Sequence, residues 1–95
     1  MATFIMLGKY SSESLKGISE DRTKQTRKLI ERFGGKLSSI YVMLGEYDLM
    51  FITEFPGIEE AMLASVMLNK LSGISISTSP TIPVEKFDKI AAAMD

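Results

Sequence analysis

The sequence predicts an α+β domain whose elements follow the order βαββαβ, closed by a terminal helix. Three observations carry this. Apolar runs at residues 2–10, 36–44 and 47–55 are bounded by glycine-containing breaks, as short strands are. Residues 19–33 and 58–71 carry apolar side chains at three- and four-residue spacing, the period of a helix. Finally, "ISISTS", residues 74–79, alternates strictly, as a strand with one wet face does.

The elements follow in order. "ATFIMLGKY" reads as a first strand with Phe4 and Met6 on one face and Ile5 and Leu7 on the other, so both faces are apolar. Gly17 separates a short turn from a longer helix. Ser19 is its N-cap, and Glu20 and Asp21 place negative charge where the helix dipole favours it. Ile18, Arg22, Thr26, Leu29, Ile30 and Phe33 fall on one stripe, and Gly34-Gly35 supplies the stop. "KLSSIYVML" is the second strand, with Ile40, Val42 and Leu44 opposite Tyr41 and Met43. A tight connection at Gly45-Glu46 leads into "YDLMFITEF", making an antiparallel hairpin. Pro56-Gly57 breaks it. The helix over 58–71 is apolar over an unusually broad surface, and Gly73 is its C-cap. Pro80 and Pro83 end the fourth strand, and "VEKFDKIAAAMD" closes the chain as a short helix with Phe87, Ile90, Ala91 and Met94 on one side.

Two βαβ-like halves around a central hairpin are the ferredoxin-like pattern, a single domain over 1–95 with a four-stranded antiparallel sheet. Two helices cover only one face of such a sheet. A face left in water should read polar, yet the first three strands are apolar on both sides. The terminal helix is expected to cover part of the second face, and a second copy of the sheet the rest. A homodimer or larger homo-oligomer follows.

Composition narrows the chemistry. The net charge of −1 argues against a nucleic-acid partner, which calls for a basic face. With no His and no Cys, the chain has no disulfide, thiolate nucleophile, Ser–His or Cys–His pair, common zinc site, or His- or Cys-ligated haem. No cofactor or metal is expected. Glu20-Asp21 and Glu59-Glu60 open helices and complement their dipoles rather than mark a metal site. No apolar run approaches a membrane span, so a cytoplasmic protein without a membrane partner is expected.

The segment Gly45-Glu46-Tyr47-Asp48 places two carboxylates beside the apolar run Leu49-Met50-Phe51-Ile52. With the Gly17 and Arg22 region, "GGKL" at 34–37, Gly73 and Thr78, it resembles the GYD-domain family over nearly the whole chain. The resemblance implies a dimeric α/β barrel, in which two ferredoxin-like sheets pack face to face, and no agreed biochemical function. Residues 40–78 are also similar to the effector-binding domain of leucine-responsive transcription regulators, without their helix-turn-helix. Other members of the superfamily are small cofactor-free oxygenases and isomerases.

Each candidate residue carries a structural and a functional reading. Gly45 supplies a positive φ. Tyr47 packs its ring and satisfies its hydroxyl at a rim. Asp48 reads first as an anchor accepting from backbone N–H groups near the turn or a neighbouring strand end; the alternative is a cavity acid. Arg22 reads first as a partner for a nearby carboxylate or carbonyl, and in the sharper reading as a hook for a ligand carboxylate. Lys9 and Tyr10, at the end of the first strand, stand where they could line the same mouth. The leading function is a small-ligand-binding or regulatory module with Arg22, Tyr47 and Asp48 at its site. The alternative is a cofactor-independent enzyme of monooxygenase or isomerase type.

Overall fold

β1 (Ala2–Lys9) lies inside the sheet because it is paired on both edges. It runs antiparallel to β3 (Leu49–Phe55) on one side and to β4 (Ser75–Pro80) on the other, and β2 (Lys36–Val42) completes the order β2-β3-β1-β4. The computed structural model describes residues 1–94. Its helices are α1 (Ser12–Lys16), α2 (Glu20–Arg32), α3 (Ile58–Ser72) and α4 (Val84–Ala93). The result is the ferredoxin-like α+β arrangement expected from the element order.

Strand periodicity sorts the side chains. Met6 stands opposite Phe51 and Ile5 opposite Ile52, so apolar pairs meet on each face in turn. Phe4, Met6, Leu49, Phe51 and Phe55 are buried beneath Leu29 and Ile30 of α2 and Ala61, Ala64 and Leu68 of α3. Phe4 meets Phe55 edge to face, with centroids 6.0 Å apart. Thr53 is fully buried in this layer, and its hydroxyl donates to the Phe4 carbonyl at 2.9 Å, which removes the desolvation cost. Gly35 packs so closely that a Cβ there would lie 2.5 Å from the Phe55 ring. Ser19 caps α2 by accepting from the Arg22 amide, and Gly34 and Gly73 end α2 and α3 at φ +79° and +76°.

Four details depart from the sequence reading. The hairpin is not tight: β2 ends at Val42 and β3 begins at Leu49, and the Met43 amide donates to the Asp48 carbonyl at 2.7 Å to close the loop 44–47. A two-residue type I′ turn needs positive φ at both central residues. Gly45 has φ +152°, but among the described residues no non-glycine has a positive φ, so Glu46 cannot complete such a turn. Leu44 is consequently fully exposed instead of sharing a face with Val42.

Secondly, the register shifts between Leu37 and Ser39, leaving Ser38 as an extra residue. This bulge resets the alternation and brings Leu37 onto the same buried face as Ile40. Thirdly, residues 12–16 form a five-residue helix rather than a turn, with Ser11 and Ser14 joined in a reciprocal capping box. Lastly, α4 does not cover the sheet: none of its described residues is buried, and Phe87 and Met94 are 58% and 81% exposed. The outer face, with Ile5, Leu7, Met50 and Ile52 half-buried and Tyr41 exposed, lies open. Among the described residues, no helix is long and apolar enough to cross a membrane.

Candidate functional site

The end of β1 is the junction on which the site is built. Leaving the strand, the chain presents the Tyr10 amide, which donates to Asp48 Oδ2 at 2.9 Å. The Asp48 amide donates in turn to the Gly8 carbonyl at 2.8 Å. Asp48 thus ties the hairpin to the end of β1 from both its backbone and its side chain. A strand end leaves amides without ladder partners, and a carboxylate is a strong acceptor for one of them.

Beyond Tyr10, the Ser11 cap turns the chain into α1, which brings the Ser14 carbonyl within reach of Arg22. Arg22 Nη1 donates to that carbonyl, and its guanidinium carbon lies 5.7 Å from the centroid of the Tyr10 ring. The contact with the ring is of cation–π type. The bond to Ser14 uses one of the five guanidinium N–H donors.

These residues border a cleft of about 180 Å³ between α2 and the helix-facing side of the sheet. Its polar lining is Tyr10, Ser19, Arg22, Thr23 and Thr26. Its apolar lining is Ile18, Ile40, Val42, Leu49, Phe51 and Ile74. The α2 contribution follows from helical spacing: positions 19, 22, 23 and 26 share one face. The two threonine hydroxyls donate back along the helix, Thr23 to the Ser19 carbonyl at 3.3 Å and Thr26 to the Arg22 carbonyl at 3.0 Å. Their oxygens keep acceptor capacity. No carboxylate lies among the described lining residues.

The structure therefore joins two of the sequence candidates only indirectly. Arg22 lines the cleft, Asp48 holds the backbone of Tyr10 behind it, and Tyr10 is the residue between them. Tyr47 is half-buried in the hairpin connection and is not among the lining residues. Gly45 is exposed, with open space around the place of a Cβ. Lys9 is exposed. Ser19 and Thr23 were not marked as site residues in the sequence, although the stripe through Arg22 and Thr26 runs beside them. The Thr78 hydroxyl, on β4 opposite Met6, is buried without a hydrogen-bond partner.

A second concavity, about 510 Å³, lies between α2 and α3 over Leu29, Met67 and Leu71, rimmed by Lys28, Arg32 and Lys70. It is larger but open, and none of the residues converging on the β1 junction reaches it.

Fold and site together define a ferredoxin-like α+β domain with a small cleft under its first long helix. The chain belongs to the GYD domain family, whose family model matches residues 4–91. No curated protein and no solved structure gives a match.

Proposed function

We propose that this protein is a homo-oligomeric, cytoplasmic binding module for a small organic anion, acting in a regulatory rather than a catalytic capacity. The observation that carries the reading is the position of Arg22. Its guanidinium stands over Tyr10 at the border of a cleft whose remaining walls are hydrocarbon and hydroxyl groups. A planar cationic fork beside an apolar wall suits a carboxylate carrying a compact apolar tail. A volume of about 180 Å³ restricts such a ligand to metabolite size. The absence of a carboxylate from the described lining favours binding over acid–base catalysis, because Asp48 is engaged by the Tyr10 amide instead.

The outer face of the sheet supports the assembly. Ile5, Leu7, Met50 and Ile52 form a contiguous apolar centre there, and a second copy packed face to face would cover it. Leu49 and Phe51 of β3 line the cleft while Met50 and Ile52 of the same strand lie on this face, so β3 is the element that would connect ligand occupancy to assembly.

The test is a thermal-shift screen of short branched, linear and aromatic carboxylates against wild type and Arg22→Ala. At least one carboxylate should raise the wild-type melting temperature by several degrees. Arg22→Ala should abolish that shift while retaining a cooperative unfolding transition. A stabilising carboxylate that works equally well on Arg22→Ala would disprove the anion-hook role. A panel with no effect on wild type would remove the ligand-binding reading.

A further inference from the structure

The terminal helix α4 is an element without a partner. Val84, Phe87, Ile90, Ala91 and Met94 fall within about a third of its circumference, a normal core-facing stripe. Yet Val84, Phe87, Ile90 and Met94 are all exposed, at 46–81%. A ten-residue helix is marginal in water by itself, and this one has no side-chain cap at its N-terminus. Its helicity calls for a surface to lie on.

The root of α4 is fixed. The Thr81 amide and hydroxyl both donate to the Thr3 carbonyl, at 3.1 and 2.8 Å, which pins the chain beside the start of β1. Pro80 and Pro83 flank that anchor and restrict the backbone on either side. The helix therefore leaves from the end of edge strand β4, and none of its described residues is buried against its own domain.

We propose that α4 is an exchanged arm: each protomer lays its Val84–Phe87–Ile90–Met94 stripe on a second copy of this chain, completing the interface begun by the sheet. This rests on the face-to-face dimer proposed above. Area argues for it. Four strands of about seven residues offer a flat footprint of roughly 450 Å², and the exposed stripe of α4 would add to it toward the ~800 Å² per partner of a standard stable interface. In a two-fold dimer each protomer both gives and receives an arm, so α4 enlarges the interface twice. Charge argues for the same occupant. The polar side of α4 carries Glu85 and Asp88 against Lys86 and Lys89, a balanced set. A helix that lies on a membrane is rich in Lys and Arg on that side, and a strongly charged partner would call for a net charge that α4 lacks.

Sedimentation equilibrium on the full chain tests this with two variants, Phe87→Asp on the arm and Ile52→Asp on the sheet. Neither position is fully buried within one protomer, so both variants should fold, as circular dichroism and a cooperative melt will show. Because each substitution enters a two-fold interface twice, Phe87→Asp should raise the dimer dissociation constant by about 100-fold or more. A dimer unaffected by Phe87→Asp but dissociated by Ile52→Asp would overturn the arm and leave the sheet dimer standing. A dimer unaffected by either would overturn both. The absence of cysteine permits a unique spin label at Lys89→Cys. In dimers mixed from spin-labelled, unenriched protomers and untagged, ¹⁵N-enriched protomers, broadening of amides in the enriched chain supports exchange, and its absence refutes it. Monomers that bind through α4 to anionic vesicles would also refute it.

Discussion

The two faces of β3 make an instructive pair. Leu49, Phe51, Thr53 and Phe55 point one way and are all buried; Met50, Ile52 and Glu54 point the other way and are only half-buried. Hydropathy alone does not separate the first members of the two sets, since Met50 and Ile52 are as apolar as Leu49 and Phe51. The difference is what lies above them. The helices α2 and α3 both pack on one side, while α4, the remaining long helix, leaves the domain. Side-chain alternation dictates which residues share a face, but only the packing partner decides whether that face is buried or left open.

That contrast can be tested from its strongest side downward. Phe55→Ala removes a fully buried ring that packs on Phe4 and Gly35, so urea unfolding should show a loss of about 3–5 kcal/mol, the range for large core truncations. The loss should be present at every protein concentration. A cost below 1 kcal/mol by the same measure would mean that the inner layer is looser than its burial indicates.

At the corner where both faces end, Asp48→Ala deprives the Tyr10 amide of its acceptor and should cost about 1–3 kcal/mol. Asp48→Asn keeps an acceptor oxygen of similar size and should recover much of that. Equal stability of wild type and Asp48→Ala in chemical denaturation would show that the anchor contributes nothing, and would reopen the cavity-acid reading.

The smallest effect belongs to the outer face. Ile52→Thr should change unfolding by less than about 1 kcal/mol in dilute, monomeric protein, because its surroundings there are partly water. On the proposed assembly, the same substitution should lower stability further at high protein concentration, since assembly stabilises the folded state by mass action. A large, concentration-independent loss would place Ile52 in a monomeric core and break the comparison.

Much of the site was legible at the level of single residues and little at the level of their arrangement. Arg22 and Thr26 could be placed on the inward stripe of α2 by counting. An Asp beside a glycine turn could be read as an acceptor for a neighbouring strand end. What counting could not provide was Tyr10 as the residue that links them. Its amide meets Asp48 across 38 positions of sequence, and its ring meets Arg22 only because α1 folds the intervening chain. Nor could it separate Tyr47 from the cleft, because that depends on a hairpin loop longer than its glycine suggested.

By itself, then, the sequence determined the order and type of the elements, the two-sided apolar character of the strands, the caps at Ser19 and Gly73, and the chemistry that the lack of His and Cys removes. These are local properties, set by periodicities of two and 3.6 residues and by backbone preferences that act within a few positions. Tertiary structure alone decided the bulge at Ser38 that brings Leu37 inside, the meeting of Tyr10 with Arg22 and Asp48, and the departure of α4 from the sheet it was expected to cover. Each of these turns on pairing or packing between segments brought together by the chain's path, and a local pattern holds no record of which distant surface will meet it.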